Sequence, residues 1–413
     1  LLLNRYLDSI QLMINLENIT KARNNIEGVA YNTPLTYAPI LSNNLDTSIY
    51  LKKENLQLTG SFKLRGAFNK IATLTVEEKS KGVVAASAGN HAQGVGFSAK
   101  YFGCDATIVM PEATPLTKVN GVKSHGADVI LHGSNYDEAY AFALDYTSKN
   151  NKTFVHPFED DEVICGQGTI ALEILEELED IDMIIIPIGG GGLVSGIAAA
   201  IKEIKPEIQI IGVVSSGAKS MKDSYEQKVA IDSISVKTIA DGIAVRDTSL
   251  KMLDLVIKYV DKIVEVNDQE IASAILFLLE QQKLVVEGAG AVGVAAMMHK
   301  KIDISGKKVV SILSGGNIDV TMLSQIIEKG LVKTSRKMNL IVTLIDKPGS
   351  LMTLTNIFKE NSANIVQIDY DRDSVQLDFG DANVTISLET KGEEHQKLLS
   401  EQLIKYGYRF KQL

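Results

Sequence analysis

Lys63 stands in ENLQLTGSFKLRGAFNK, residues 54–70, between Phe62 and Leu64 and close to Gly60 and Gly66. A lysine near an arginine is commonly a solvated helix face. Here the apolar neighbours can desolvate the amine and lower its pKa, as a Schiff-base lysine requires. A second stretch, VVAASAGNHAQGVGFSAK (83–100), carries a strand into the turn Ser87-Ala88-Gly89-Asn90-His91 and on into a helix. Amides at such a helix start can hold an anion such as a carboxylate, although a plain turn capped by Ser or Asn has the same look. The third, IPIGGGGLVSGIAAA (186–200), places Gly189, Gly190, Gly191 and Gly192 between a buried strand and a helix opening at Leu193. Several amides then face one point, glycine permits close backbone approach, and the helix dipole favours an anion. That is phosphate-binding geometry. The fourth, SILSGGN (311–317), ends a buried strand in Ser314 and two glycines. Strand C-termini are where ligands bind in open α/β sheets. Lys63, the Asn90 turn, the glycine loop and Ser314 can therefore meet on one phosphate-bearing cofactor.

A dinucleotide competes for that phosphate, because GAGAVG (288–293) matches G-x-G-x-x-G. Its preceding strand would be only Leu284-Val285-Val286-Glu287, directly behind a long helix, and the next strand ends in Ser314 rather than an acid. The fingerprint fails its context.

The elements that must position these residues are legible as a pattern. Segments 82–86, 106–110, 127–131, 183–188, 209–214 and 308–313 are short apolar runs rich in strand formers, with helical patterns between them at 91–102, 135–149, 167–180, 193–204 and 268–282. Near-continuous apolar strands alternating with helices predict an α/β architecture with parallel sheets covered on both faces. The periodicity changes near residue 336. From Met338 the chain reads MNLIVTLID (strand), KPGSLMTLTNIFKENS (turn and helix), ANIVQIDYD (strand) and VQLDFGDANVTISLET (strand). A helix at about 392–405 and a strand in YGYRFKQ close a βαββαβ order, the ferredoxin-like arrangement.

Bulk properties narrow the classes further. A chain of 413 residues predicts two to three domains at roughly 150 residues each. Hydrophobic residues at 45% and charged residues at 23% describe an ordered globular protein. The net charge of -9 disfavours nucleic acid and anionic membrane surfaces. Cys104 and Cys165 are the only cysteines, which excludes a disulfide framework and fits a cytoplasmic setting. The six histidines, at 91, 125, 132, 156, 299 and 395, have no zinc-type spacing. Met183 to Ile201 is uncharged over 19 residues, but Pro187 and four consecutive glycines read as strand, loop and helix rather than a membrane span. Residue 1 is not Met, and Met13 is read as the natural start.

Taken together, GSFKLRGA (60–67), SAGNHAQGVG (87–96), GGGGL (189–193), TIADGIAV (238–245) and SGGN (314–317) resemble the threonine dehydratase (threonine ammonia-lyase) family of fold-type II pyridoxal-phosphate enzymes. The likeness runs from Tyr31 to Leu413, and the tail, with DKPGSL (346–351) and NIVQIDYDR (364–372), is similar to the amino-acid-binding ACT domain of the single-ACT members. It implies a two-lobed catalytic domain over 13–335, with a smaller lobe at about 53–149 inserted in the larger, and an ACT domain over 336–413.

The resemblance also implies roles. Lys63 would hold pyridoxal 5'-phosphate as a Schiff base and then act as the base at Cα, with Phe62 packed beside the cofactor. Asn90 would hydrogen-bond the ring hydroxyl, Gly189, Gly190, Gly191, Gly192 and Leu193 would cradle the phosphate, and Ser314 would face the pyridine nitrogen. Amides around Ser87, Ala88, Gly89, Asn90 and His91 would bind the substrate carboxylate. Relatives often carry an acid where Val214 and Ser215 stand here, so no divalent-metal dependence is expected. The implied activity is deamination of L-threonine to 2-oxobutyrate and ammonia on the way to isoleucine. Isoleucine or valine would act at Asp346, Pro348 and Gly349 of the tail, in a homodimer or homotetramer. Serine dehydratase or racemase activity is the alternative within the fold, and a non-catalytic amino-acid sensor the alternative outside it.

Overall fold

The computed structural model describes residues 14–373 and 377–413; Met13 lies outside them. The chain forms two compact units, divided between Ile318 and Asp319. In the first unit the strands run Leu35–Tyr37 (β1), Ser48–Lys52 (β2), Val83–Ala86 (β3), Ala106–Met110 (β4), Asp128–Leu131 (β5) and Thr153–Phe154 (β6). Met183–Pro187 (β7), Gln209–Ser215 (β8), Lys262–Val266 (β9) and Lys308–Ile312 (β10) follow. A six-stranded sheet has the order β1-β2-β10-β7-β8-β9, and a four-stranded sheet the order β5-β4-β3-β6. All pairings are parallel except that of β1 with β2, so the larger sheet ends in one antiparallel strand. The smaller sheet falls wholly between β2 and β7 in sequence.

Burial explains the strand composition. Every residue of β3, β4 and β7 is buried, as expected where helices cover both faces of a parallel sheet. The uncharged stretch 183–201 resolves into β7, the glycine loop and the helix Gly192–Ile204, and no described helix is long and apolar enough to cross a membrane. The helix expected at 167–180 begins earlier, at Asp161, because the Asp160 side chain accepts from the backbone N–H groups of Glu162 and Val163 and nucleates the first turn. Leu284–Glu287 forms no strand. The glycines of GAGAVG serve close packing instead: the helix Gly288–Met298 passes so near its neighbours that a Cβ on Gly290 would lie 2.7 Å from the Gly315 oxygen, and one on Gly293 2.4 Å from Ser311 Oγ.

Behind the Lys63–Thr73 helix lies a buried ionic network. Arg65 donates through Nε and Nη2 to Glu54, both at 2.8 Å, and through Nη2 to Glu173 at 3.0 Å. Lys52 Nζ reaches Glu173 at 2.7 Å and the Thr33 carbonyl at 2.6 Å. Burial opposes the charge on Arg65, but Glu54 and Glu173 outweigh it and hold the pKa above the ordinary arginine value.

The second unit begins with the helix Val320–Lys333, whose Glu328 pairs with Lys337, so its start precedes the change of periodicity at residue 336. Its strands are Lys337–Ile345 (β11), Asn364–Asp371 (β12), Asp381–Glu389 (β13) and Arg409–Gln412 (β14), with helices Ser350–Glu360 and Glu393–Lys405 between them. The antiparallel order β12-β13-β11-β14 is that of a ferredoxin-like, ACT-type domain. Alternate residues Met338, Leu340, Val342 and Leu344 are buried against the helices with Leu354, Phe358 and Leu399. The strand expected from Val375 starts only at Asp381, after a turn at Gly380 with φ 90°; Val375 and Gln376 lie outside the described residues.

Candidate active site

Lys63 is the first residue of its helix. Its Nζ donates to the Pro157 carbonyl at 2.8 Å and lies 5.3 Å from the centroid of the partly buried Phe62 ring. Burial pulls the amine's pKa down to about 8, with Glu287 acting in the opposite direction. In cofactor-free protein, reductive alkylation of Lys63 by a small aldehyde should therefore show a pH midpoint near 8. Peptide mapping over a pH series measures this, and a midpoint near the ordinary 10.5 would refute the tuning.

The Asn90 turn and the SGGN segment meet beside it. Phe62 N–H donates to the Ser314 carbonyl at 3.1 Å, and Ser61 bridges to Gly315. Ser314 is buried just beyond the end of β10. Asn90 Nδ2 donates to Glu287 Oε1 at 2.8 Å, while Asn90 Oδ1 accepts from Asn317 Nδ2 at 2.8 Å. The helix Asn90–Tyr101 starts from Gly89 without a side-chain cap, and a Cβ on Gly89 would meet nothing within 4 Å. Within the turn, the Gly89 N–H reaches Ser87 Oγ at 3.2 Å. Buried His91 has Nε2 2.8 Å from the Val155 carbonyl. Burial, reinforced by the Lys63 charge, pushes its pKa down to about 3, so the ring is neutral at pH 7. His91 therefore offers no positive charge to a carboxylate.

The glycine loop is tied to Lys63 through two adjacent residues. Pro157 receives the lysine, and Phe158 walls the loop: a Cβ on Gly190 would lie 2.4 Å from the Phe158 ring, and one on Gly192 2.8 Å from its carbonyl oxygen. Ile243, in TIADGIAV, closes the other side, 2.8 Å from a Cβ on Gly189. Gly191 adopts φ 94°, a left-handed conformation that a side chain would strain, and Gly192 and Leu193 open the helix. His156 Nδ1 holds the bend by accepting from the N–H groups of Phe158 at 3.3 Å and Glu159 at 2.9 Å.

At the end of β8, Ser215 Oγ donates to Thr238 Oγ1 at 2.7 Å, which in turn donates to Asp268 Oδ1 at 2.6 Å. In the tail, Asp346 accepts from the Tyr370 hydroxyl at 2.9 Å and lies 3.6 Å from Arg372 Nε. Gly349, with φ 90°, follows Pro348 and starts the Ser350–Glu360 helix.

The profile of the pyridoxal-phosphate-dependent enzyme family matches residues 26–315. An L-threonine ammonia-lyase of Thermotoga maritima is 50% identical over 396 residues, covering 96% of this chain and 98% of that one. The chain belongs to the L-threonine ammonia-lyase family of pyridoxal-phosphate-dependent enzymes. Processed threonine deaminase isoform 2 from Solanum lycopersicum superimposes with a TM-score of 0.73 at 38% identity, over 78% of this chain and 93% of that one. Serine racemase from Dictyostelium discoideum gives 0.70 at 33% identity, over 75% and 100%. The first unit is thus a fold-type II core. Its residues fit pyridoxal phosphate, since an aldehyde calls for an amine with a lowered pKa and a phosphate for side-chain-free amides at a helix start.

Four residues of this constellation carry no role in the sequence reading: Glu287, Pro157, Phe158 and Asn317, the last named there only as the end of SGGN. Glu287 carried a usable signal, being the only charged residue from Leu284 to Met298. Pro157 and Phe158 carried none, because a backbone carbonyl and a wall of a loop have no signature of residue type.

Proposed function

We propose that this chain deaminates L-threonine to 2-oxobutyrate and ammonia at the site around Lys63. End-to-end likeness to the Thermotoga maritima L-threonine ammonia-lyase, tail included, carries the reading. When bound, pyridoxal phosphate supplies the electron sink for bond cleavage at Cα. The chain's residues do the rest. Lys63 would hold the cofactor through Nζ, and its free amine would accept the Cα proton on the same atom. Amides of Gly189 to Leu193 hold the phosphate, and Phe62 packs beside the cofactor. Asn90 hydrogen-bonds the ring hydroxyl. Ser314 partners the ring nitrogen with a neutral hydroxyl, which suits the mild electron demand of eliminating a β-hydroxyl. Amides of the turn Ser87 to His91 hold the substrate carboxylate. A coupled keto-acid assay with threonine, serine and homoserine tests this, with 2-oxobutyrate from threonine the fastest product. The likeness to serine racemase favours a second reading, and D-serine formed without keto acid would establish it in place of the first.

The tail gives a place for control. An amino-acid effector, isoleucine or valine, would bind at the turn of Asp346, Pro348 and Gly349 in a cytoplasmic homodimer or homotetramer. It would make the enzyme a regulated step towards isoleucine. Allostery of this kind needs an effector that distinguishes two states. Calorimetric titration of the holoenzyme with isoleucine and valine should give saturable heat with at least one, and no heat with either sinks the branched-chain assignment.

A further inference from the structure

Glu287 is the N-cap of the Gly288–Met298 helix, yet its side chain makes no capping hydrogen bond. The carboxylate turns away from the amides it could stabilise and is only 3% exposed. A Cβ on Gly315 would lie 2.4 Å from its Oε1 and 3.2 Å from Asn90 Nδ2, so the pair sits in space kept clear by a glycine of SGGN. Burying a carboxylate this deeply is unfavourable unless a donor meets it, and Asn90 Nδ2 does so at 2.8 Å.

A chain of obligatory polarities fixes which way the Asn90 amide points. The Thr59 carbonyl can only accept, so the Asn317 atom facing it at 2.9 Å is Nδ2. That same Nδ2 lies 2.8 Å from Asn90, whose facing atom must then be Oδ1. Asn90 Nδ2 is thereby directed at Glu287. Gly60 permits the arrangement, because a Cβ there would collide with Asn317 Oδ1 at 2.4 Å.

We propose that Glu287 is a positioning residue which, opposite Asn317, fixes the Asn90 carboxamide with its oxygen turned to Asn317 and its second N–H left for the cofactor's ring oxygen. The proposal rests on the assignment of Asn90 to the ring hydroxyl. A ring oxygen met only by a donor is held as an acceptor, which favours its deprotonated form. Burial, with Asp241 adding to it, raises the Glu287 pKa to about 7, while the Asn90 hydrogen bond acts against the rise.

The test uses Glu287→Met, which fills the volume and cannot accept in the same way, Glu287→Gln, which still can, and Asn90→Ala. The readouts are the visible absorption band of the purified holoenzymes and the affinity of each apo-protein for pyridoxal phosphate. Glu287→Met should shift the band and weaken binding roughly ten-fold, as for one buried hydrogen bond. Glu287→Gln should keep the parental band and bind within about three-fold. The double variant Glu287→Met/Asn90→Ala should match Asn90→Ala alone. If Glu287→Met does not fold, Asn317→Ala removes the opposing donor and should shift the same band, again with no effect added to Asn90→Ala. An unshifted band in Glu287→Met, loss of the parental band in Glu287→Gln, or additivity with Asn90→Ala would overturn the proposal. An unshifted band in Asn90→Ala would instead overturn the assignment of Asn90 itself, and the proposal with it.

Discussion

Lys63→Ala is expected to abolish threonine deamination, lowering turnover by at least about 10^3-fold. One amine serves as both covalent anchor and base, and each role alone is worth orders of magnitude. The loss should be chemical rather than structural, because the side chain's hydrogen bond runs to the Pro157 carbonyl and not into the buried network. Its helix and the cores of both sheets should therefore survive. Lys63→Arg should rescue nothing: a guanidinium stays protonated and cannot take up a proton at Cα. The coupled assay and the absorbance of bound cofactor measure the outcome together. Turnover within ten-fold of the parent would remove Lys63 from the chemistry.

Glu54→Ala should destabilise the first unit by about 3–5 kcal/mol. Glu54 and Arg65 are both fully buried, and the carboxylate takes two hydrogen bonds from the guanidinium. Without it, the buried Arg65 guanidinium keeps only Glu173, which it shares with Lys52, while Lys52 also has Glu177 at 3.2 Å. Replacing both partners, as Glu54→Leu/Arg65→Met, should recover most of the loss, since no unpaired charge remains. Denaturation of the three holoenzymes checks this. A loss below about 1 kcal/mol in Glu54→Ala would show that the network contributes little. Because Arg65 lies two residues after Lys63, the same variant should also loosen the lysine's setting.

Much of the fold was legible because its signals are local. Strands buried on both faces are apolar without interruption, so β3, β4, β7 and β10 show in the sequence as runs of Val, Ile and Ala. The tail showed even more clearly, since a strand buried on one face alternates, as Met338 to Leu344 does. Short edge elements such as β1 and β6 did not show, since two or three residues have no period.

The site divides along the same line. Sequence by itself determined the family and the groups on offer, because five ordered motifs bring a lysine amine, four consecutive glycines, an asparagine amide and a serine hydroxyl into one chain. Only the tertiary structure decided how these groups are held. Glu287 reaches Asn90 across 197 positions of chain, and Pro157 reaches Lys63 across 94. Such contacts arise where separate strand ends and helix starts converge, and no local pattern encodes them. Burial decided the rest: the lowered pKa of Lys63, the raised pKa of Glu287 and the neutrality of His91 follow mainly from lost water, a property of the folded interior.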